Sequence, residues 1–122
     1  MRVLTVLIAR VVFAVPMGFF GVSHFLKAGN MTGMVPQWLP YPIAWVYFTG
    51  ACLIAAAIGI AVNKKGRMAA FLLAILILSF VLFVHVPGLS DEARKQFAMI
   101  SLMKDIAIIG GALTLAGVMP PE

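Results

Sequence analysis

Five side chains in apolar surroundings have the chemistry to form a functional site: Arg10, His24, His85, Lys104 and Asp105. Lys104 and Asp105 lie inside the segment 97–118, FAMISLMKDIAIIGGALTLAGV, which is long and apolar enough to cross a bilayer. A charged side chain at membrane depth costs about 2.5–3.5 kcal/mol on insertion scales. Such residues therefore pair, reach a polar cavity or serve a function, and we predict that these five form one polar centre.

The first apolar segment carries a stripe of residues that could meet this pair. Arg10, Met17 and His24 are spaced by seven and Gly21 lies close to the same face of a helix. At a rise of about 1.5 Å per residue, Arg10 and Asp105 differ in membrane depth by a distance that their two side chains and a helix tilt would bridge. We predict an Arg10–Asp105 ion pair as the floor of an outward-facing cavity.

His24, His85 and Lys104 are expected to ring this cavity, so the predicted ligand-binding residues are Arg10, His24, His85, Lys104 and Asp105. Two cations against one carboxylate leave a surplus positive charge that favours an anionic or polar partner. The alternatives are a lipid phosphate, an anionic substrate, the polar head of a quinone, or an acidic residue of another subunit. A salt bridge that only fixes helix register is equally compatible with the sequence.

Catalysis by this chain alone is not expected. We identify no catalytic residue, because the sequence offers no nucleophile–base pair and no phosphate-binding loop. We predict no metal site either, since two histidines without a nearby cysteine or spare carboxylate make a poor one. Cys52 is the single cysteine, which excludes dithiol chemistry within the chain. The scattered basic residues argue against a nucleic-acid partner.

Composition indicates an integral membrane protein. Hydrophobic residues make up 63% of the 122 residues, well above the roughly 45–50% of soluble domains, and the mean hydropathy is +1.09. Four apolar runs, at 3–26, 43–62, 68–86 and 97–118, each approach the length that a helix needs to span the hydrocarbon core. We predict a single all-α domain over 1–122, a membrane-spanning four-helix bundle.

The turn Asn63–Arg67 is short and basic, which predicts a cytoplasmic location by the positive-inside rule. Four spans then place both termini on the cytoplasmic side, and we expect a bacterial cytoplasmic (inner) membrane. The connection 27–42 contains three prolines together with Trp38 and Tyr41. It is predicted to be an interfacial loop or a short re-entrant segment at the outer end of the bundle.

Small residues recur every four positions in the second and fourth segments. Such faces allow close approach of membrane helices, where the hydrophobic effect gives no drive for association. We predict helix packing at Ala51, Ala55, Gly59, Ala107 and Gly111.

The first span, LIARVVFAVPMGFFGVSHF, resembles the opening pattern of the DoxX family of small four-helix membrane proteins. In that pattern an Arg is followed by a bulky apolar residue one turn before a Gly, here Met17 and Gly21, and then by a basic residue, here Lys27. The last span, SLMKDIAIIGGALTLAG, is similar to the closing pattern, and His85 stands where many members carry a histidine. The resemblance implies a four-helix bundle linked to respiratory or sulfur redox complexes, such as thiosulfate:quinone oxidoreduction.

Two functional hypotheses follow. The first is an accessory subunit of a membrane redox complex, such as a subunit of an oxidoreductase, that binds a quinone or another amphiphile at the charged cluster. The second is a non-catalytic structural or assembly subunit of a larger membrane complex or a homo-oligomer. Membrane lipids are expected partners in both.

Overall fold

The computed structural model describes residues 1–121 and, over that range, consists of helices and connections without a β-strand. Its long helices are α1 (Arg2–Leu26), α2 (Pro42–Val62), α3 (Gly66–Gly88) and α4 (Lys95–Val118). Within α3, Gly66–Phe80 is α-helical, Val81–His85 forms a π-helical turn, and Val86–Gly88 is again α-helical. These bounds lie within two residues of those predicted from the apolar runs.

Each of these four helices is long and apolar enough to cross a membrane. Large hydrophobic side chains cover the outside of the bundle, among them Val12, Val15, Phe19 and Ile100, each at least 60% exposed. A soluble protein does not expose a continuous apolar surface of this extent. The protein is therefore an all-α integral membrane protein.

The helices run alternately up and down, so the bundle has two distinct ends. The termini end holds Met1, residues 119–121 and the turn 63–65, whereas the tryptophan end holds the connections 27–41 and 89–94. α1 packs mainly on α2 and α3 mainly on α4, while α2 also contacts α3. Of the neighbouring helix pairs, α1 and α4 pack least against each other, so the bundle is open along that side.

Two glycines set the distance between α1 and α2. A Cβ atom at Gly21 would lie 2.8 Å from the Gly50 carbonyl oxygen, and one at Gly50 would lie 2.9 Å from the Gly21 carbonyl oxygen and 2.7 Å from Cβ of His24. The two backbones therefore approach more closely than any side chain allows, as small residues permit in membrane helices. Gly21 was recognised in the sequence as part of the inward face, but its partner Gly50 was not.

The tightly packed core lies in the half of the bundle nearest the termini. Its fully buried side chains are Leu53, Ile60, Leu73 and Met119. Met119 follows α4 and packs against Gly66, where a Cβ atom would overlap the methionine methyl group. Arg67 Nε donates to the Met119 carbonyl and Asn63 Nδ2 to that of Pro120, which ties the C-terminal segment to the α2–α3 turn.

The predicted small-residue packing positions are used only in part. Gly59 is buried and a Cβ atom there would meet Ala69, while Gly111 faces Phe13. Ala51, Ala55 and Ala107 are instead exposed on the outside of the bundle. The prediction that these three pack helices within the chain is corrected. On α2 the contact with α1 sets the rotation of the helix so that Gly50, Leu53 and Ala57 face inward. On α4 the buried face runs through Ser101, Asp105 and Ala112 instead of Ala107.

The proline-containing connection folds over the tryptophan end. It contains a short helix, Ala28–Met31, and a 3-10 turn, Thr32–Met34, and then continues in irregular conformation. The Trp38 ring contacts the Phe83 ring of α3 with centroids 6.0 Å apart, and Trp45 Nε1 donates to the Pro40 carbonyl at 2.8 Å. The connection is thereby held across the open end of the bundle.

Candidate functional site

The half of the bundle nearest the tryptophan end contains a partly open cavity of about 650 Å³. All four long helices and the connection 27–41 contribute to its walls. Most of its lining is apolar, with aromatic rings prominent: Phe20, Trp38, Trp45, Phe48, Phe80 and Phe83. Volume and lining of this kind are typical of small-molecule sites, which combine a mostly apolar wall with a few placed polar groups.

His85 and Asp105 form the polar centre of this cavity. His85 Nε2 lies 2.8 Å from Asp105 Oδ2, and both side chains line the cavity. Asp105 is only 7% exposed, on the α4 face that also buries Ala98, Ser101 and Ala112. A carboxylate in this position is retained in an apolar bundle because the imidazole N–H satisfies it.

The direction of helical side chains explains why these two residues meet. Every Cα–Cβ bond in a helix tilts toward the N-terminus of that helix. His85 stands near the C-terminal end of α3, so its ring leans into the bundle, away from the tryptophan end. Asp105 lies on the antiparallel helix α4, so its carboxylate leans toward the tryptophan end. The two side chains therefore converge from opposite directions.

The same rule separates Arg10 from Asp105. Arg10 lies on α1, whose N-terminus is at the termini end, and its side chain leans that way. Its Nη2 donates to the Ala61 carbonyl at 3.1 Å, in the last turn of α2, where helix carbonyls lack intrahelical partners and the dipole is negative. The predicted Arg10–Asp105 ion pair is therefore wrong. Arg10 does not line the cavity and instead caps α2.

A π-helical turn delivers His85 to the cavity. In this turn the Val86 N–H bonds to the carbonyl of Val81, five residues earlier. Pro87 has no N–H to donate to Phe83, which weakens the regular helical pattern at this point. Single π-turns inside α-helices are frequent at functional sites. Nothing in the apolar pattern of the sequence indicated this turn.

Lys104 stands at the opening between α1 and α4. It is exposed, about 100° around the helix from the buried Asp105, and it lines the cavity. Its Nζ lies 5.3 Å from the centroid of the Phe20 ring on α1. The ammonium group is thus held by a cation–π contact that bridges the two neighbouring helices with the weakest mutual packing.

His24 completes the polar lining from the opposite wall. Its Nδ1 lies 2.6 Å from the Phe20 carbonyl oxygen on its own helix. A carbonyl oxygen only accepts hydrogen bonds, so Nδ1 carries the proton and Nε2 is left for other partners. The structure therefore brings four of the five predicted residues, His24, His85, Lys104 and Asp105, to one cavity and places Arg10 elsewhere.

The charge within the cavity differs from the sequence-based count. Lys104 and Asp105 are its charged lining residues apart from the histidines, so their charges cancel while both imidazoles are neutral. The sequence-based count had a surplus positive charge because it included Arg10. In the structure, the Arg10 guanidinium instead binds the Ala61 carbonyl at the C-terminal end of α2. The cavity therefore suits a polar but uncharged group better than an anion.

A family model described as a domain of unknown function, DUF8561, matches residues 13–116 of the chain. The chain belongs to the DUF8561 family. The matched range includes all four cavity residues and the two helix-contact glycines. No curated protein and no solved structure has significant similarity to this DUF8561 chain.

This family match corrects the resemblance to DoxX. The Arg, Gly and Lys spacings that suggested DoxX are loose features that small helical membrane proteins share, because Gly permits close helix contacts and basic residues flank spans. The match is to DUF8561 and not to DoxX. The link to thiosulfate and respiratory redox complexes that rested on the resemblance is therefore withdrawn.

Sequence reasoning missed the aromatic residues and the small hydroxyl side chains of the cavity. Ser101 is 5% exposed and Thr49 is half-buried, and both line it. The aromatic rings were indistinguishable from lipid-facing ones in the sequence, because most positions around spans 1–3 are apolar. The spacing of Ser101 and Asp105, four residues apart in an apolar span, was a signal of a polar face that could have been used.

Proposed function

We propose that this protein binds a small amphiphile within the membrane, with the polar head of the ligand at His85–Asp105 and its apolar part along the aromatic wall. The observation that carries the proposal is the partly buried His85–Asp105 hydrogen bond, which lies at the wall of a cavity of about 650 Å³. A pair kept only for helix register would be expected in packed surroundings, not at the wall of a cavity. A ring-headed lipid such as a quinone or quinol fits the neutral, aromatic lining.

The test is purification from native membranes in mild detergent, with bound small molecules and proteins identified by mass spectrometry. Thr49→Trp places a large ring in the cavity, whereas Ile58→Trp adds the same ring to the exposed face of the same helix. We expect an amphiphile in stoichiometric amount with wild type and Ile58→Trp, and a loss of at least about tenfold with Thr49→Trp. Equal retention by all three proteins would contradict the proposal.

A second candidate function is a structural or assembly subunit of a larger membrane complex or a homo-oligomer. The exposed Ala51 and Ala55 favour it, because they leave a small-residue face unfilled by the helices of this chain. Beside them a second cavity of about 560 Å³ lies between α2 and α3, lined in part by Cys52, Ala55 and Gly59. In the same purification, stoichiometric partner proteins without a small molecule would favour this function over the first.

We propose further that the termini end faces the cytoplasm of a bacterial cell, across its inner membrane. Arg2, Lys64, Lys65 and Arg67 lie at this end, and the positive-inside rule supports that orientation. Single cysteines at Lys64 and at the exposed Ser90, each in a Cys52→Ala background, report the two ends. An impermeant maleimide added to intact spheroplasts is expected to label Ser90→Cys alone; labelling of Lys64→Cys alone would reverse the topology.

A further inference from the structure

The second cavity is a groove on the outside of the bundle, between α2 and α3, and we call it the α2–α3 groove. Its volume of about 560 Å³ lies within the roughly 300–1,000 Å³ of small-molecule sites. Small, mostly buried residues form its floor, and larger exposed side chains form its rim. The floor includes Ala56, Gly59 and Ala69, and the rim includes Met68, Leu72 and Ile75.

The length of the groove matches one leaflet of a bilayer. Along α3 its lining extends from Met68 to Ser79, which is about 17 Å at a rise of about 1.5 Å per residue. Half of a hydrocarbon core of about 30 Å is about 15 Å. The groove therefore reaches from the membrane surface at the termini end to about the midplane, the depth that the acyl chains of that leaflet occupy.

The end of the groove at the membrane surface is positively charged. Lys64 and Lys65 line it, and no Asp or Glu among the described residues does. The Lys64 ammonium is exposed and has no hydrogen-bond or ion-pair partner within residues 1–121. Of the acidic residues in that range, Asp91 and Glu92 lie at the tryptophan end and Asp105 lies in the other cavity. An occupant with a negative charge at Lys64 therefore complements the groove.

A second copy of the chain complements it poorly. In a two-fold symmetric dimer the same surface faces itself. Both copies of Lys64 would then lie at the same end of the interface, and like charges brought together in this way oppose association.

We propose that the α2–α3 groove binds an anionic phospholipid of the leaflet at the termini end. One acyl chain lies along the apolar floor, and the phosphate contacts the Lys64 ammonium. The chain covers apolar lining that the side chains of this protein leave open, and the phosphodiester supplies the negative charge. This site is separate from the amphiphile cavity, because Leu76 and Ser79 are the only described residues that line both.

The experiment titrates the purified full chain with phosphatidylglycerol and with phosphatidylcholine of the same acyl chains, and counts bound lipids by native mass spectrometry. A basic residue near an anionic lipid corresponds to a preference of about fivefold. We expect wild type to bind one phosphatidylglycerol with at least this preference, and Lys64→Gln to lose it. Arg2→Gln is the charge-matched control, since Arg2 lies at the same end but outside the groove. No preference in wild type, or equal losses in the two variants, would overturn the inference.

A second pair of variants tests where the acyl chain lies. Ala55 lines the groove, whereas Ala51, one turn earlier on α2, is exposed and lies outside it. Ala55→Trp fills the groove and is expected to lower bound phosphatidylglycerol at least about tenfold, while Ala51→Trp retains it.

Retention by Ala55→Trp would overturn the inference. If Thr49→Trp then lost the lipid, the lipid would lie in the amphiphile cavity, and the proposed function would stand without the groove site. A partner protein or second copy that binds wild type and is lost with Ala55→Trp would also overturn the inference, because the groove would then be a protein interface.

Discussion

Replacing Asp105 with leucine is expected to leave the bundle folded while amphiphile retention falls at least about tenfold. The carboxylate is 7% exposed and its main support is one hydrogen bond from His85. Replacing a whole buried ion pair by apolar residues is often neutral. Removing this carboxylate alone leaves only the half-buried imidazole of His85 unpaired, which costs about 1 kcal/mol. We expect the free energy of unfolding to stay within about 1 kcal/mol of wild type.

Substitution of the partner residue, His85, is expected to lower the free energy of unfolding much more than substitution of Asp105. His85→Leu leaves the Asp105 carboxylate buried without its donor, which is expected to lower the free energy of unfolding by about 3 kcal/mol. The double variant His85→Leu/Asp105→Leu should recover most of that loss. Unfolding in detergent and mass spectrometry of bound lipids provide the two readouts, with the exposed Met103→Leu on α4 as a control. A large destabilisation by Asp105→Leu alone would show that the pair supports the fold and not ligand binding.

The second large effect concerns the contact between α1 and α2. Gly50→Ala is expected to lower the free energy of unfolding by about 2–3 kcal/mol, because its Cβ would lie 2.9 Å from the Gly21 carbonyl oxygen, a backbone atom that moves only if a helix moves. The same Cβ would lie 2.7 Å from Cβ of His24, so the imidazole should be displaced from the cavity wall. Ligand affinity should therefore fall together with stability.

Gly110→Ala is the matched control. Gly110 also lies within a membrane-spanning helix, but a Cβ atom there would meet nothing within 4 Å. Alanine restricts the unfolded chain more than glycine, so this variant should be neutral or stabilised by up to about 1 kcal/mol. Thermal unfolding of both variants in the same detergent compares them directly. Equal stability of the two would refute close backbone contact at Gly50.

Much of the architecture was predictable from the sequence because its physical cause is local. Apolar runs of about 20 residues must be helical in lipid, so the number of spans and their bounds followed from the positions of the apolar runs along the chain. The period of 3.6 residues also put Met17 and Gly21 on the inward face of α1, where the structure buries both. Membership in a particular family did not follow, because these features are common to many small membrane proteins.

The partners of the charged residues depended on the direction of each side chain relative to its neighbours. The sequence indicated that Asp105 needs a donor in the membrane and that His24, His85 and Lys104 lie in the outer half of the bundle. Only the tertiary structure decided that His85 supplies that donor and that Arg10 caps α2. The physical reason is that side chains on antiparallel helices tilt in opposite directions, so pairs form between residues that lean toward each other, and the helix contact at Gly21 and Gly50 decides which faces meet.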